Sequence, residues 1–390
     1  MEGPLVSKSI RKSLSLSALL FAVPAFSQLL TEASAARPEA AAAAPVAHVY
    51  VATPKGVELY DAAASGKLTV VSGSPFAGNF TDMVTDGPYF YATDGNLIYE
   101  ETVASSGALK RIATVNPATH TPGSEGVTAL DMDHTGAYVY ANVYNDGTYF
   151  QSYKINKTNG DLVWLGNGDN DGDPQAAGPI RILGNNKFAF QPQAQITYFL
   201  GGLTIGSNGE LSGPGSQNAF PLAEGDNLYN AYTLATDTTD NVAAAVYQLE
   251  NPPDGPVVGP TQIAVYTSNA AGNLNTKSTY ENMPATAIGT VSMMNASPSG
   301  KLLAVAGSGP GQTGLQIFHF NGSAQVTKYT GLLTSTPIDE VHWDNDNHLY
   351  AISHSAGKLF VFTATPTSVS EAPGSPYTVA SPQSIIIRPL

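Results

Sequence analysis

His48-Val-Tyr-Val-Ala, Gly56-Val-Glu-Leu-Tyr and Ser65-Gly-Lys-Leu-Thr follow one another near the start of the chain. Together they spell two short apolar runs, the first with a central aromatic, and then a Gly-Xaa-Leu step. The phrase returns as Ala137-Tyr-Val-Tyr-Ala, Phe150-Gln-Ser-Tyr-Lys-Ile and Asn159-Gly-Asp-Leu. Later copies are Lys301-Leu-Leu-Ala-Val with Leu315-Gln-Ile-Phe-His-Phe, and His348-Leu-Tyr-Ala-Ile with Lys358-Leu-Phe-Val-Phe. Runs of this length, alternating with glycine turns and rich in Val, Tyr and Ile, are strands. Aligned on their aromatic or apolar centres, seven copies fall near Tyr50, Tyr91, Tyr140, Phe190, Val246, Val305 and Tyr350. Their spacing of about 40 to 60 residues is that of four-stranded propeller blades.

The ends of the array predict how the ring closes. Most copies begin with an additional strand, as in Val127-Thr-Ala-Leu-Asp-Met, Thr290-Val-Ser-Met-Met-Asn and Ile338-Asp-Glu-Val-His-Trp. The first copy, from Val46, has none, while Gln383-Ser-Ile-Ile-Ile-Arg-Pro follows the last copy as an orphan. Residues 384 to 388 are therefore expected to supply the inner strand of the first blade. Closure of this type removes exposed sheet edges. The fold expected is all-β: a seven-bladed β-propeller over residues 46–390, closed by the C-terminal strand pairing into the N-terminal blade.

Composition narrows the function classes. The 390 residues carry 17 Lys and Arg against 31 Asp and Glu, a formal charge of −14, which disfavours nucleic acid and anionic membrane as partners. Cysteine is absent, which removes disulfides, thiol nucleophiles and thiolate metal sites together. Lys8, Arg11 and Lys12 precede an apolar stretch from Leu14 to Phe26, and Ala33-Ser34-Ala35 fits a cleavage site. Residues 1–35 thus read as a signal peptide and 36–45 as an Ala/Pro-rich leader, with export to the periplasm or beyond. A monomer with no membrane segment after cleavage is expected.

Val70-Val-Ser-Gly-Ser-Pro-Phe and Ala372-Pro-Gly-Ser-Pro-Tyr resemble the blade-ending phrase of the seven-bladed lactonase-type propellers. That family includes 6-phosphogluconolactonase and the carboxy-muconate cyclases. Ser297-Pro-Ser-Gly-Lys-Leu-Leu is similar to its hairpin turn. The resemblance implies a pore site reached by a Gly-Pro-Arg-His phrase. Here Gly178-Pro-Ile-Arg181 keeps the glycine, proline and arginine, the last displaced by one place, without the histidine. Gln191 to Gln193 stand where the family's acid is expected, and Ser124-Glu125-Gly126-Val127 lacks the second pore histidine.

Lactone hydrolysis needs a base to activate water and a cation for the developing oxyanion. Arg181 answers the second need; Glu125, Glu340 and His342 are the candidates for the first. His342 is the histidine placed on an inner strand, where a hydrogen-bonded core position is the ordinary alternative. Independently of any family, residues just before each inner strand ring the channel mouth: Asp82, Glu125, Arg181, Asn230, Glu340 and Gln383. Such a ring suits a small-molecule or carbohydrate ligand, and equally the plain solvation of a wet channel mouth. A ligand-binding propeller and a diverged lactone hydrolase are thus the two functions expected.

Asn167-Gly-Asp169-Asn-Asp171-Gly-Asp173 sets side-chain oxygens at alternate places like half a calcium loop, but Gly178 stands where the twelfth-position acid belongs. A solvated turn fits it as well. No resident cofactor is expected beyond that calcium. Asp344 and Asp346 read as a hairpin turn.

Overall fold

The computed structural model describes residues 44–124, 126–144, 148–169, 179–193, 199–213, 215–252 and 255–390. Residues 1–43, which include the segment expected to be a signal peptide and most of the expected leader, therefore lie outside the described residues. Seven antiparallel sheets follow one another, numbered here as blades 1 to 7. Their inner strands are Ser384–Pro389, Asp82–Asp86, Gly126–Met132, Arg181–Ile182, Leu228–Thr236, Met293–Ala296 and Glu340–Trp343. Neighbouring inner strands touch in this order, those of blades 3 and 4 through Asp131 and Arg181, and that of blade 7 returns to that of blade 1. All seven predicted centres fall on the second strand of their blades. Closure is as expected: Ala47–Thr53 pairs outward with Gly56–Ala62 and inward with Ser384–Pro389, from Ala52 opposite Ser384 to Ala47 opposite Pro389. The inner strand runs one residue beyond the predicted end.

The packing explains why the repeat has the form it has. Among the described residues seven buried apolar clusters occupy the seven seams between adjacent blades, each drawing residues from both. At the centre of three seams stands a tyrosine whose hydroxyl donates to a glycine carbonyl of the next blade. Tyr50 donates to Gly107, Tyr91 to Gly160 and Tyr140 to Gly209, at 2.8, 2.8 and 3.0 Å. These glycines are the first residues of the Gly-Xaa-Leu steps. Gly107 and Gly160 have φ of +78° and +87°, where a Cβ would be strained and would also strike Leu59 or Tyr89 of the preceding blade.

The leucine of the step is held as well. Leu211 N–H donates to Ser152 Oγ at 2.9 Å, Leu274 N–H to Asn218 Oδ1 at 2.6 Å, and Leu68 N–H to the Tyr377 hydroxyl at 2.8 Å. Each acceptor belongs to the preceding blade. One tripeptide thus offers its neighbour a carbonyl, an amide and an apolar side chain.

The two Gly-Ser-Pro phrases act alike within their own blades. Ser74 Oγ accepts from Leu59 N–H and Ser375 Oγ from Val361 N–H, and both Ser-Pro bonds are cis. Asp344 closes a hairpin turn, as expected, with Oδ1 accepting from the N–H groups of Asp346 and His348.

Two consequences are measurable. Removing residues 383–390 strips Ile385 and Ile387 from the seam between blades 7 and 1. It should abolish the single cooperative melt of the whole ring, as followed by calorimetry, rather than fray one end. Tyr140→Phe leaves the buried Gly209 carbonyl unsatisfied and should cost about 1–3 kcal/mol in urea denaturation, without altering the far-ultraviolet spectrum.

Candidate functional site

Inner strands start at one face of the ring, called upper here, and run down the channel. Between them they enclose a cavity of about 550 Å³. Asp82, Asp131, Arg181, Glu340 and His342 line it, from blades 2, 3, 4 and 7, with Met83, Met132, Met293 and Ile386 as apolar wall. The cavity therefore brings together four residues expected at the site: Asp82, Arg181, Glu340 and His342.

The remaining expectations fare differently. Glu125 lies outside the described residues, and blade 3 contributes Asp131 to the cavity instead. Asn230 is 1% exposed, its Oδ1 turned onto the N–H of Ala231, away from the cavity. Gln383 makes the first rung of closure, N–H to Ala52 carbonyl, and does not line the cavity. Both depart from the expected ring, whereas in blades 2, 4 and 7 residues at or just before the strand start do line the cavity: Thr81, Asp82, Pro179, Arg181, Asp339 and Glu340.

Asp169 ends the outer strand Leu162–Asp169 of blade 3, whereas Asp171 and Asp173 lie outside the described residues. Among the described residues no three metal-ligating side chains converge. Gln191 is buried within blade 4.

Asp131 had a signal in the sequence. It pairs across the strand with Tyr140 just as Arg181 pairs with Phe190. Counting back from the blade centre by the interval that leads from Phe190 to Arg181 lands on Asp131.

The cavity carboxylates do structural work first. An inner strand has no sheet partner on its channel side, so its amides need other acceptors. Asp82 Oδ2 accepts from Leu130 N–H of blade 3 at 2.7 Å, and Asp131 Oδ2 from Ile180 N–H before blade 4 at 2.9 Å. Glu340 Oε2 accepts from Ile385 N–H of blade 1 at 2.9 Å and from the Ser384 hydroxyl at 3.2 Å. Arg181 reverses the polarity, Nε donating to the Leu234 carbonyl of blade 5 at 3.0 Å and Nη1 to Ile180 at 3.2 Å. Asp131 approaches Nη1 at 3.7 Å, an ion pair too long for a hydrogen bond.

Crowding acids in a narrow channel moves their titration. Desolvation raises Asp82 to about 6 against the pull of two backbone amides and Arg181. Glu340 rises to about 8 through desolvation and the Asp82 charge. Asp131 also lies well above the usual carboxylate range, by desolvation and despite Arg181. His342 falls to about 4 through desolvation and the nearby guanidinium, so it is neutral at pH 7. No hydrogen bond engages its ring among the described residues; it is a cavity histidine rather than the hydrogen-bonded core residue of the ordinary alternative. At neutral pH the cavity therefore holds three carboxyl groups of raised proton affinity, Asp82, Asp131 and Glu340, beside a neutral imidazole and one guanidinium.

No family model matches the sequence, and no curated protein matches it significantly. Solved structures do match in fold. A putative 6-phosphogluconolactonase from Bacteroides fragilis is 15% identical over 87% of this chain and 97% of its own, with a TM-score of 0.56. A Lactobacillus plantarum protein is 14% identical over 87% and 99%, with a TM-score of 0.62. The periplasmic gluconolactonase of Pseudomonas aeruginosa is 14% identical over 88% and 99%, with a TM-score of 0.58. The likeness is one of architecture: the chain shares the seven-bladed propeller fold of these proteins.

Glu340 supplies a pH test. Its folded value exceeds its ordinary one, so the folded state binds the proton more tightly, and this contribution to stability declines as pH rises from about 4.5 to about 8. Glu340→Gln keeps a carbonyl acceptor for Ile385 N–H without the titration. The variant should gain on the parent by ~2 kcal/mol between pH 5 and pH 8, a figure discounted for channel water. Chemical denaturation across that range measures it; a gain that is constant with pH contradicts the assignment.

Proposed function

We propose that this protein is an exported propeller that binds a small, neutral, hydroxyl-rich molecule, a carbohydrate or a sugar lactone, in the upper cavity. One observation carries the reading: three blades bring Asp82, Asp131, Glu340 and His342 onto a single solvent-reached cavity with an apolar wall. Carboxyl, carboxylate and imidazole groups accept and donate to hydroxyls, and the methionines suit the C–H face of a ring. Four carboxyl groups, with Asp339, against one guanidinium disfavour a phosphorylated ligand there. Export rests on the basic, apolar and Ala-Ser-Ala sequence of residues 1–35, and the Pseudomonas neighbour is described as periplasmic.

Lactone hydrolysis is the second reading, favoured by Arg181 and His342 sharing that cavity. In it the neutral His342 imidazole takes a proton from water, and Arg181 faces the oxyanion as the carbonyl is attacked. Glu340, whose carboxyl holds its proton more tightly than an ordinary glutamate, is the group to give a proton to the departing ring oxygen. Against it, His342 is a weak base, and Arg181 already spends two N–H groups on backbone carbonyls.

The test pairs titration calorimetry of neutral sugars with pH-stat assays of unphosphorylated lactones. Binding that Asp82→Asn weakens about tenfold, roughly 1.4 kcal/mol, with turnover unaffected by His342→Ala, supports the binding propeller. Turnover that falls with both His342→Ala and Arg181→Ala supports the hydrolase instead.

A further inference from the structure

Below the upper cavity the channel holds a second chamber of about 420 Å³, at the face where the inner strands end. Arg181, Met293 and His342 line both chambers and so form the partition between them. We propose that the lower chamber is a separate binding site for a small organic monocarboxylate, with Arg181 as its counter-ion. The site is independent of the ligand assigned to the upper cavity.

The argument rests on how charge is divided across the partition. All of Asp82, Asp131, Asp339 and Glu340 line the upper cavity and none lines the lower. The lower chamber has one carboxylate, Asp237, which is 5% exposed and fully engaged in its own hairpin. Its Oδ1 accepts from Thr239 and Asn241 N–H, and its Oδ2 from the Thr239 hydroxyl and Asn241 Nδ2. An anion entering from below therefore meets no free carboxylate before it reaches the guanidinium.

Most other donors in the chamber are committed. His134 Nε2 donates to the Ile182 carbonyl at 3.1 Å, as does the Thr236 hydroxyl, and Asn295 Nδ2 donates to Val341 at 3.1 Å. Arg181 uses Nε and one Nη1 hydrogen on carbonyls, which leaves N–H groups unspent among the described residues. The Thr238 hydroxyl, exposed at the lower mouth, is also unengaged there. The guanidinium, 3.7 Å from Asp131 on its upper side, has no lysine beside it among the lining residues, so it suits at most a single negative charge, and its planar fork suits a carboxylate. Trp343 forms an apolar wall with its indole N–H held by the Asn295 carbonyl. The organic part of the ligand packs there.

Trp343 also reports occupancy. In a Trp164→Phe background, which removes the exposed second tryptophan, D-gluconate titrated into the full chain should change Trp343 emission saturably, whereas D-glucose should not. Arg181→Gln should weaken gluconate at least about tenfold. Thr238→Tyr, which fills the lower mouth at an exposed position, should abolish the response. Thr81→Tyr, on the upper rim only, should leave it unchanged. Thermal melts establish that each variant is folded. No saturable response in the parent, an equal response to glucose, or a response lost in Thr81→Tyr and kept in Thr238→Tyr overturns the proposal.

Discussion

Where a blade carries a Gly-Xaa-Leu step, the ring depends on what the preceding blade does with it. A tyrosine hydroxyl takes up the glycine carbonyl, a polar side chain takes up the leucine amide, and the leucine side chain enters the seam. Buried backbone groups left without partners are costly, so the seam can be apolar only where these bonds are made. The same logic continues at the channel, where the exposed amides of inner strands find carboxylates supplied by the preceding blade. Blade-to-blade contacts at both radii thus run in one sense around the ring.

This arrangement gives the channel acids two duties that pull in different directions. As latches they need lone pairs and close contact with backbone, which draws them out of water. As site residues they then carry raised proton affinities, and Asp131 lies 3.7 Å from the Arg181 guanidinium in the same cavity. The fold builds a reactive environment as a by-product of closing itself, which is why residues of the channel in propellers of different function can look alike.

The sequence was most legible where one residue type serves the same contact in several blades. Tyr50, Tyr91 and Tyr140, the glycines they meet and the orphan strand at Ser384 all announce themselves by repetition. The site is less legible because the hairpins joining inner to second strands differ in length and carry bulges, as at Val127 to Ala129 and Ala231 to Thr233. Counting from the strand start therefore selected Asn230 and Gln383, whereas counting from the blade centre selects Asp131. His342 illustrates a different limit: no pattern in the chain distinguishes an imidazole facing a channel from one bonded in a core.

Closure of the ring has a further implication through Glu340 and Ile386. Both line the upper cavity, and Glu340 holds the amide of Ile385 on the last strand of the chain. The seam that joins chain end to chain beginning therefore passes through the wall of the chamber. A ligand meets a complete wall only when that strand is docked, so occupancy and docking are thermodynamically linked. Whatever fills the chamber also fastens the ring at the point where the chain itself ends.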